Sequence, residues 1–236
     1  MKKQLDLLEG SITGTLARLA FPIMGTSLIQ MGYNLVDMIW IGRLGSDAVA
    51  AVGAAGMYMW LASGVTAIPR TGGQVTVGQC LGAGKREEAI RFARGALQMG
   101  TVLGVLFGLL CLIFHQPLIA FFHLNSPQVI QDAQVYLMIT CGLVVFSFLD
   151  LVLGGILTAT GNTVTTFRVT AIGLVINFIL DPVLIFGVGP FPRLEVAGAA
   201  IATVFAQFMV FLLYLAAVSP DLTVESIELD TSNVKT

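Results

Sequence analysis

The sequence predicts an all-α integral membrane protein built from six transmembrane helices. Composition is the first reason: of 236 residues 56% are apolar and 11% charged, with a mean hydropathy of +0.88, whereas a soluble domain carries about a quarter charged residues. The second is length, since six separate apolar segments reach the roughly 20 residues a helix needs to cross a bilayer. The third is charge placement, because lysine and arginine gather in alternate loops. The lipid bilayer is therefore the expected surroundings, and a net charge of −2 without a basic block excludes a nucleic-acid partner.

Residues 1–14 alternate polar positions with Leu5, Leu7, Leu8 and Ile12, the pattern of a short amphipathic segment on the membrane surface. The apolar run after Lys2 and Lys3 is too long for a signal-peptide core and lacks a small-residue cleavage site, so it reads as a retained first span, residues 16–41. Pro22 inside it removes one backbone hydrogen bond. The second span covers 48–81; Gly64, Gly72, Gly73 and Gly78 predict close helix packing, and Pro69-Arg70 predicts a bend or an interfacial anchor. The remaining spans cover 95–114, 133–159, 167–188 and 196–218. Residues 15–218 thus form one transmembrane lobe, and the polar, acidic stretch 219–236 reads as a cytoplasmic tail or linker.

The connections carry turn chemistry without nucleotide chemistry. Gly82-Ala83-Gly84-Lys85-Arg86 is a tight basic turn with no P-loop, and Thr160-Gly161-Asn162-Thr163 is a second turn on the same side. Cys80, Cys111 and Cys141 match no metal-ligand spacing and are expected as packing residues without a disulfide. His115 and His123 fall at a membrane edge with no Ser or Cys nucleophile placed to pair with them, so the chain is not expected to be an enzyme.

Orientation follows from the basic residues. With the N-terminus inside, the cytoplasmic side receives Lys2, Lys3, Arg18, Lys85, Arg86, Arg91, Arg94, Arg168 and Lys235, nine of the twelve, while Arg43 and Arg193 lie outside and Arg70 stays unassigned. Both termini are expected in the cytoplasm, and the membrane is expected to be the plasma (bacterial inner) membrane.

Two polar patches interrupt this apolar pattern: Tyr33-Asn34-Leu35-Val36-Asp37 and Asn177-Phe178-Ile179-Leu180-Asp181-Pro182. Each sets an amide and a carboxylate three or four residues apart, hence on one helix face. A charged side chain at the bilayer centre costs about 2.5–3.5 kcal/mol on insertion scales, so such residues line cavities, proton relays or ion paths. Asp37 lies five residues before Gly42 and Asp181 six before Gly187, which places both at a similar depth in the outer half of the membrane, where they can share one cavity. Two like carboxylates in a dry site repel, and a proton or small cation held between them relieves that repulsion. Pro182 contributes by leaving the carbonyl of Phe178 without its helical donor, or acts simply as a kink. Asp150 lies in the fourth span, nearer the cytoplasm and separate from the pair, with a structural or a functional role.

These residues resemble a known family. Pro22, Gln30, Tyr33, Asp37 and Trp40, leading into Ile41-Gly42-Arg43-Leu44-Gly45 and Ala48-Val49-Ala50-Ala51-Val52-Gly53, are similar to the multidrug and toxic compound extrusion (MATE) transporters of the MOP superfamily. Gly78-Gln79-Cys80-Leu81-Gly82-Ala83-Gly84, the stretch from Asn177 to Pro182, and Val196-Ala197-Gly198-Ala199-Ala200-Ile201-Ala202-Thr203 extend the resemblance. It implies the N-terminal lobe of a secondary antiporter that exports amphipathic organic cations in exchange for protons or sodium. Asp37, Asn177, Asp181 and Thr203 would hold the coupling ion, with no tightly bound metal and no other cofactor. Gln30, Tyr33, Asn34 and Trp40 would shape the substrate cavity, and Pro22 and Pro182 would act as hinges. The family has about twelve spans in two six-span lobes, so a second lobe or a homodimer partner is expected. A lipid-linked oligosaccharide flippase of the same superfamily is the nearest alternative, and a non-transporting half-transporter subunit the next.

Overall fold

The computed structural model describes residues 12–190 and 192–222, with side chains described within 20–190 and 192–217. Most of the expected surface segment 1–14 and most of the tail 219–236 therefore lie outside the described residues. Among those described there are seven helices and no strand: α1 (Ile12–Gly42), α2 (Ser46–Gly82), α3 (Arg86–Ala120), α4 (Pro127–Gly142), α5 (Val145–Ala159), α6 (Thr163–Phe186) and α7 (Glu195–Leu222).

Each expected span corresponds to helix, with three differences. The expected fourth span is a bent pair, α4 and α5, joined at 46°. By length and apolarity among the described residues, α2, α3, α6 and α7 qualify as spans, the α4–α5 pair makes a fifth, and the stretch 20–42 of α1 does not qualify on its own. Gln30, Tyr33, Asn34 and Asp37, the polar face that drew attention to α1, lower its hydropathy. Finally, α2 continues as helix through Pro69, and Arg70, an exposed residue, lines an open cavity of the lobe.

Prolines are absorbed differently along the chain. Before Pro117 the backbone of α3 leaves helical geometry at Phe114 (φ −105°, ψ 18°), because a proline cannot donate to the carbonyl four residues back and its ring crowds that carbonyl. Tyr58 on α2 spans the distortion: its hydroxyl donates to the carbonyl of Leu118 at 2.7 Å. Both α1 and α6 carry their prolines, Pro22 and Pro182, inside the helix. In α1 the Thr26 hydroxyl donates back to the Pro22 carbonyl at 2.9 Å.

The turns follow the glycines. Gly84 sits at φ 72° between α2 and α3, where Lys85 N–H reaches the Cys80 carbonyl at 2.8 Å, a helix stop that a left-handed glycine makes possible. Asn162 caps α6 by accepting from Thr165 N–H at 3.3 Å, so the expected Thr160–Thr163 turn is also a helix start.

Lipid-facing helices gain nothing by burying leucine against leucine, so they pack through small residues. A β-carbon on Gly73 would stand 2.6 Å from Ala96 Cβ, fixing α2 on α3, and one on Gly108 would stand 2.9 Å from the Cys141 carbonyl, fixing α3 on α4. Gly173 meets Val210 at the α6–α7 contact, while Gly198 meets the backbone of Leu184 at its end. The three cysteines are buried among these contacts. A large apolar cluster gathers at one end of the lobe, around Ile41, Ala51, Cys111, Leu137, Ile185 and Ala199, and smaller ones lie around Val77, Ala93 and Val152 and around Leu153, Val169 and Tyr214. Between α1, α2, α5, α6 and α7 lies a cavity whose wall carries polar side chains among apolar ones.

Candidate functional site

Polar residues recur at helical spacing on six of these elements, and the fold turns the stripes toward one another. On α1 the stripe is Thr26, Gln30, Tyr33 and Asp37; on α6 it runs through Thr163, Thr166, Thr170, Gly173, Asn177 and Asp181; on α7 it is Thr203, Gln207 and Tyr214. Intervals of three, four and seven keep each set on one face. With Arg70 and Gln74 from α2, Asp150 and Thr158 from α5, and Tyr136 and Thr140 from α4, all of these except Asn177 and Asp181 line a cavity of about 890 Å3.

The two expected carboxylates occupy different positions in this cavity. Asp37 lines it together with Gln30, Tyr33 and Asn34. Asp181 and Asn177 lie behind the wall, both fully buried. The amide of Asn177 donates to Asp181 Oδ1 at 3.0 Å, the one-turn pairing that the sequence spacing implies. Asp181 lies close enough to Asp37 for the two charges to repel. Tyr33 stands beside Thr203 and within electrostatic reach of Asp181, Asp37 and Asp150.

Hydrogen-bond satisfaction is incomplete here. Asp37 Oδ1, Asn177 Oδ1, Asp181 Oδ2, Tyr33 Oη and Thr203 Oγ1 are buried and accept from no protein group among the described residues. Buried polar atoms are nearly always paired, so a concentration of acceptors drawn from α1, α6 and α7 is suited to a proton or a hard monovalent cation. Among the described residues no cluster of three or more His, Cys, Asp or Glu side chains gathers for a transition metal.

The remaining expected residues are distributed as follows. Trp40 stands apart from the cavity wall: its ring packs on Phe178 and Phe186, with centroids 5.9 and 6.2 Å away, and Arg43 lies over it at 4.9 Å. Pro22 and Pro182 do not line the cavity. Asp150, expected to be separate from the pair, faces the same cavity as Asp37. His115 and His123 each bond through Nδ1 to a carbonyl of their own turn, those of Leu112 and Phe121. Arg70, Gln74, Gln207 and Tyr214 were not singled out by the sequence as cavity residues. The signal that finds the last two is the α7 spacing itself, which continues the Thr203 face by one and three turns.

An all-helical lobe that threads polar stripes and buried carboxylates through apolar spans is the architecture of a polytopic membrane protein of the transporter class. The chain belongs to the MatE family, whose model matches residues 22–183. It is 32% identical over 209 residues, 87% of this chain and 45% of the other, to a protein named "FAD transporter" from Shewanella oneidensis. It is 30% identical over 195 residues to the "Probable multidrug resistance protein NorM" of Thermotoga maritima, covering 82% of this chain and 42% of that one. A solved structure described as the outward-facing conformation of a multidrug resistance MATE family transporter of the MOP superfamily superposes with a TM-score of 0.84 at 25% identity. That match covers 96% of this chain and 48% of the other. The chain thus spans about half the length of the curated relatives it matches, the equivalent of one lobe.

Proposed function

We propose that this chain is one lobe of a secondary active antiporter that exports amphipathic organic cations in exchange for protons or sodium ions. One observation carries the reading: a fully buried Asp181, held by Asn177, repels a cavity-lining Asp37 across a set of acceptors that have no donor. An ion entering from outside neutralises the pair, and substrate bound on the cavity side is displaced. Pro22 and Pro182 supply the points at which α1 and α6 yield, since neither proline donates a backbone hydrogen bond. A one-for-one exchange of monovalent cations moves no net charge, so the concentration gradient of the coupling ion drives it; a second inward charge at 100 mV adds about 2.3 kcal/mol, a concentration ratio on the order of fifty. No cofactor beyond the coupling ion enters this mechanism, and no covalent chemistry. The surrounding membrane is the plasma membrane with both chain ends in the cytoplasm, and the path is completed by a second lobe or a second copy.

The experiment is reconstitution of the chain in liposomes with uptake of a fluorescent organic cation, driven by an imposed proton or sodium gradient. Gradient-dependent uptake that disappears in Asp181→Asn supports the reading; uptake that survives the substitution overturns the coupling role of the pair. A second reading, export of an organic anion such as the flavin nucleotide for which the Shewanella relative is named, is favoured by Arg70, a fixed cation on the cavity wall. Inhibition of the cation flux by FAD is its test.

A further inference from the structure

The three cysteines of the lobe are not equivalent. Cys80 lies in an apolar cluster with Val77 and Ala89, whereas Cys111 on α3 and Cys141 on α4 share another, both fully buried. Gly108, one turn before Cys111, makes their meeting possible. A β-carbon there would stand 2.9 Å from the Cys141 carbonyl, so the backbones of α3 and α4 nearly touch at this level. The two thiols are within hydrogen-bond reach of each other. On its other side the Cys141 thiol donates to the thioether sulfur of Met59 on α2, 3.6 Å away. Three sulfurs from three helices thus form a chain of contacts, and Met59 at its end lines the open cavity.

Sulfur is a weak hydrogen-bonding atom, but thiolates and thioethers are the preferred ligands of soft cations. The Cys141 proton lies between two sulfurs, where a metal ion would sit. Exchanging that proton for a monovalent ion leaves the charge of the buried group unchanged, which matters because an uncompensated charge in an apolar core is costly. A divalent ion fails this condition, and sodium, a hard ion, fails the preference for sulfur. Two bonds of about 2.3 Å, the zinc–thiolate length, span 3.6 Å when bent and about 4.6 Å when linear. Met59 is half-buried, and its three rotatable bonds supply the difference.

We propose that Cys141 and Met59 form a binding site for a soft monovalent cation of the copper(I) class, with Cys111 donating its S–H to the Cys141 thiolate. The ion enters from the cavity past Met59 and bonds to both sulfurs as the Cys141 proton leaves by the same opening. One proton departs for each ion bound, and no electron is transferred. The bound ion ties α2 to α4. Because the sulfurs come from three helices, no linear ligand spacing announces them. The site stands apart from the oxygen acceptors of Asp37, Asn177 and Asp181, and it does not depend on their role.

The test is an anaerobic titration of the purified chain in nanodiscs with copper(I), supplied as its acetonitrile complex, against a colorimetric copper(I) chelator. The wild-type chain is expected to take one ion from the chelator and to release one proton, read with a pH indicator in weak buffer. Cys141→Ser is expected to abolish this binding. Loss of a group that orients a metal ligand costs about 10–100-fold in affinity, so Cys111→Ala should weaken binding about tenfold or more and Met59→Leu, which removes a ligand, about a hundredfold or more. Met59→Leu conserves volume, and a circular-dichroism melt matching the wild type shows that its lost affinity reports the missing thioether. Cys80→Ala is the control and should bind as the wild type does. Uptake that Cys80→Ala lowers as much as Cys141→Ser, or that Met59→Leu leaves unchanged, overturns the site. Release of two protons per ion overturns the single thiolate.

Discussion

Replacing Gly198 by alanine would bring a methyl group to 2.5 Å from the carbonyl oxygen of Leu184, 2.6 Å from its carbonyl carbon and 2.9 Å from Ile185 N. All three atoms are backbone, so no rotamer can relieve the contact, and α7 must move away from α6. The same carbonyl accepts from Leu194 N–H at 3.0 Å, and Gly198 N–H donates to the Leu194 carbonyl at 3.2 Å; the displacement strains both bonds. Overpacking of this kind costs about 1–3 kcal/mol, and a weakened hydrogen bond adds about 1 kcal/mol. We therefore expect Gly198→Ala to destabilise the lobe by roughly 2–4 kcal/mol. The assay is thermal unfolding of the purified chain in detergent, monitored by circular dichroism and by loss of the monodisperse peak. Gly64→Ala is the control, since a β-carbon there meets nothing within 4 Å and the better helix former should leave the melt unchanged or raise it. A Gly198→Ala protein that melts with the wild type would refute the account of how α6 and α7 are held together.

Other substitutions separate stability from ion binding. Gly25→Ala also creates a close contact, 2.7 Å from Phe167 Cε2, but a partly exposed ring can turn aside, so it should cost less than Gly198→Ala in the same melt. Asn177→Leu should weaken binding of the coupling ion about tenfold or more, because a hydrogen bond to a charged group contributes about 1.5–3 kcal/mol, while its melting temperature changes little. The Asn177–Asp181 bond lies within α6, so it persists when helices separate in the membrane. Binding of a sodium isotope to the purified chain, read beside the melt, checks both halves. Tyr58→Phe should lower stability by about 1 kcal/mol by removing the bond to the Leu118 carbonyl. Hydrogen exchange should show the faster opening around residues 114–120.

Much of this structure can be read from residue spacing. The apolar segments, the glycine and asparagine turns, and the Asn177–Asp181 pairing all depend on neighbours within one or two helical turns, and a linear pattern reports such neighbours faithfully. The bend between α4 and α5 was not legible: residues 133–159 read as one apolar run, and apolarity does not distinguish a straight helix from two joined at 46°. Trp40 shows the same limit from the other side, because a residue one turn beyond Asp37 reads as a cavity neighbour, whereas ring packing against Phe178 and Phe186 draws it onto α6.

By itself, the sequence determined that the chain is a helical membrane lobe with costly carboxylates inside apolar segments, since hydropathy, insertion cost and periodicity are local quantities. The tertiary structure alone decided which faces meet. It put Asp181 behind the wall and Asp37 on it, and it brought Arg70, Asp150 and Tyr214 to one cavity from three helices. The physical reason is that helix rotation and approach are set by where small residues let backbones touch. Gly154 against Tyr214, Gly155 against Arg70 and Gly198 against Leu184 are contacts between residues far apart in the chain.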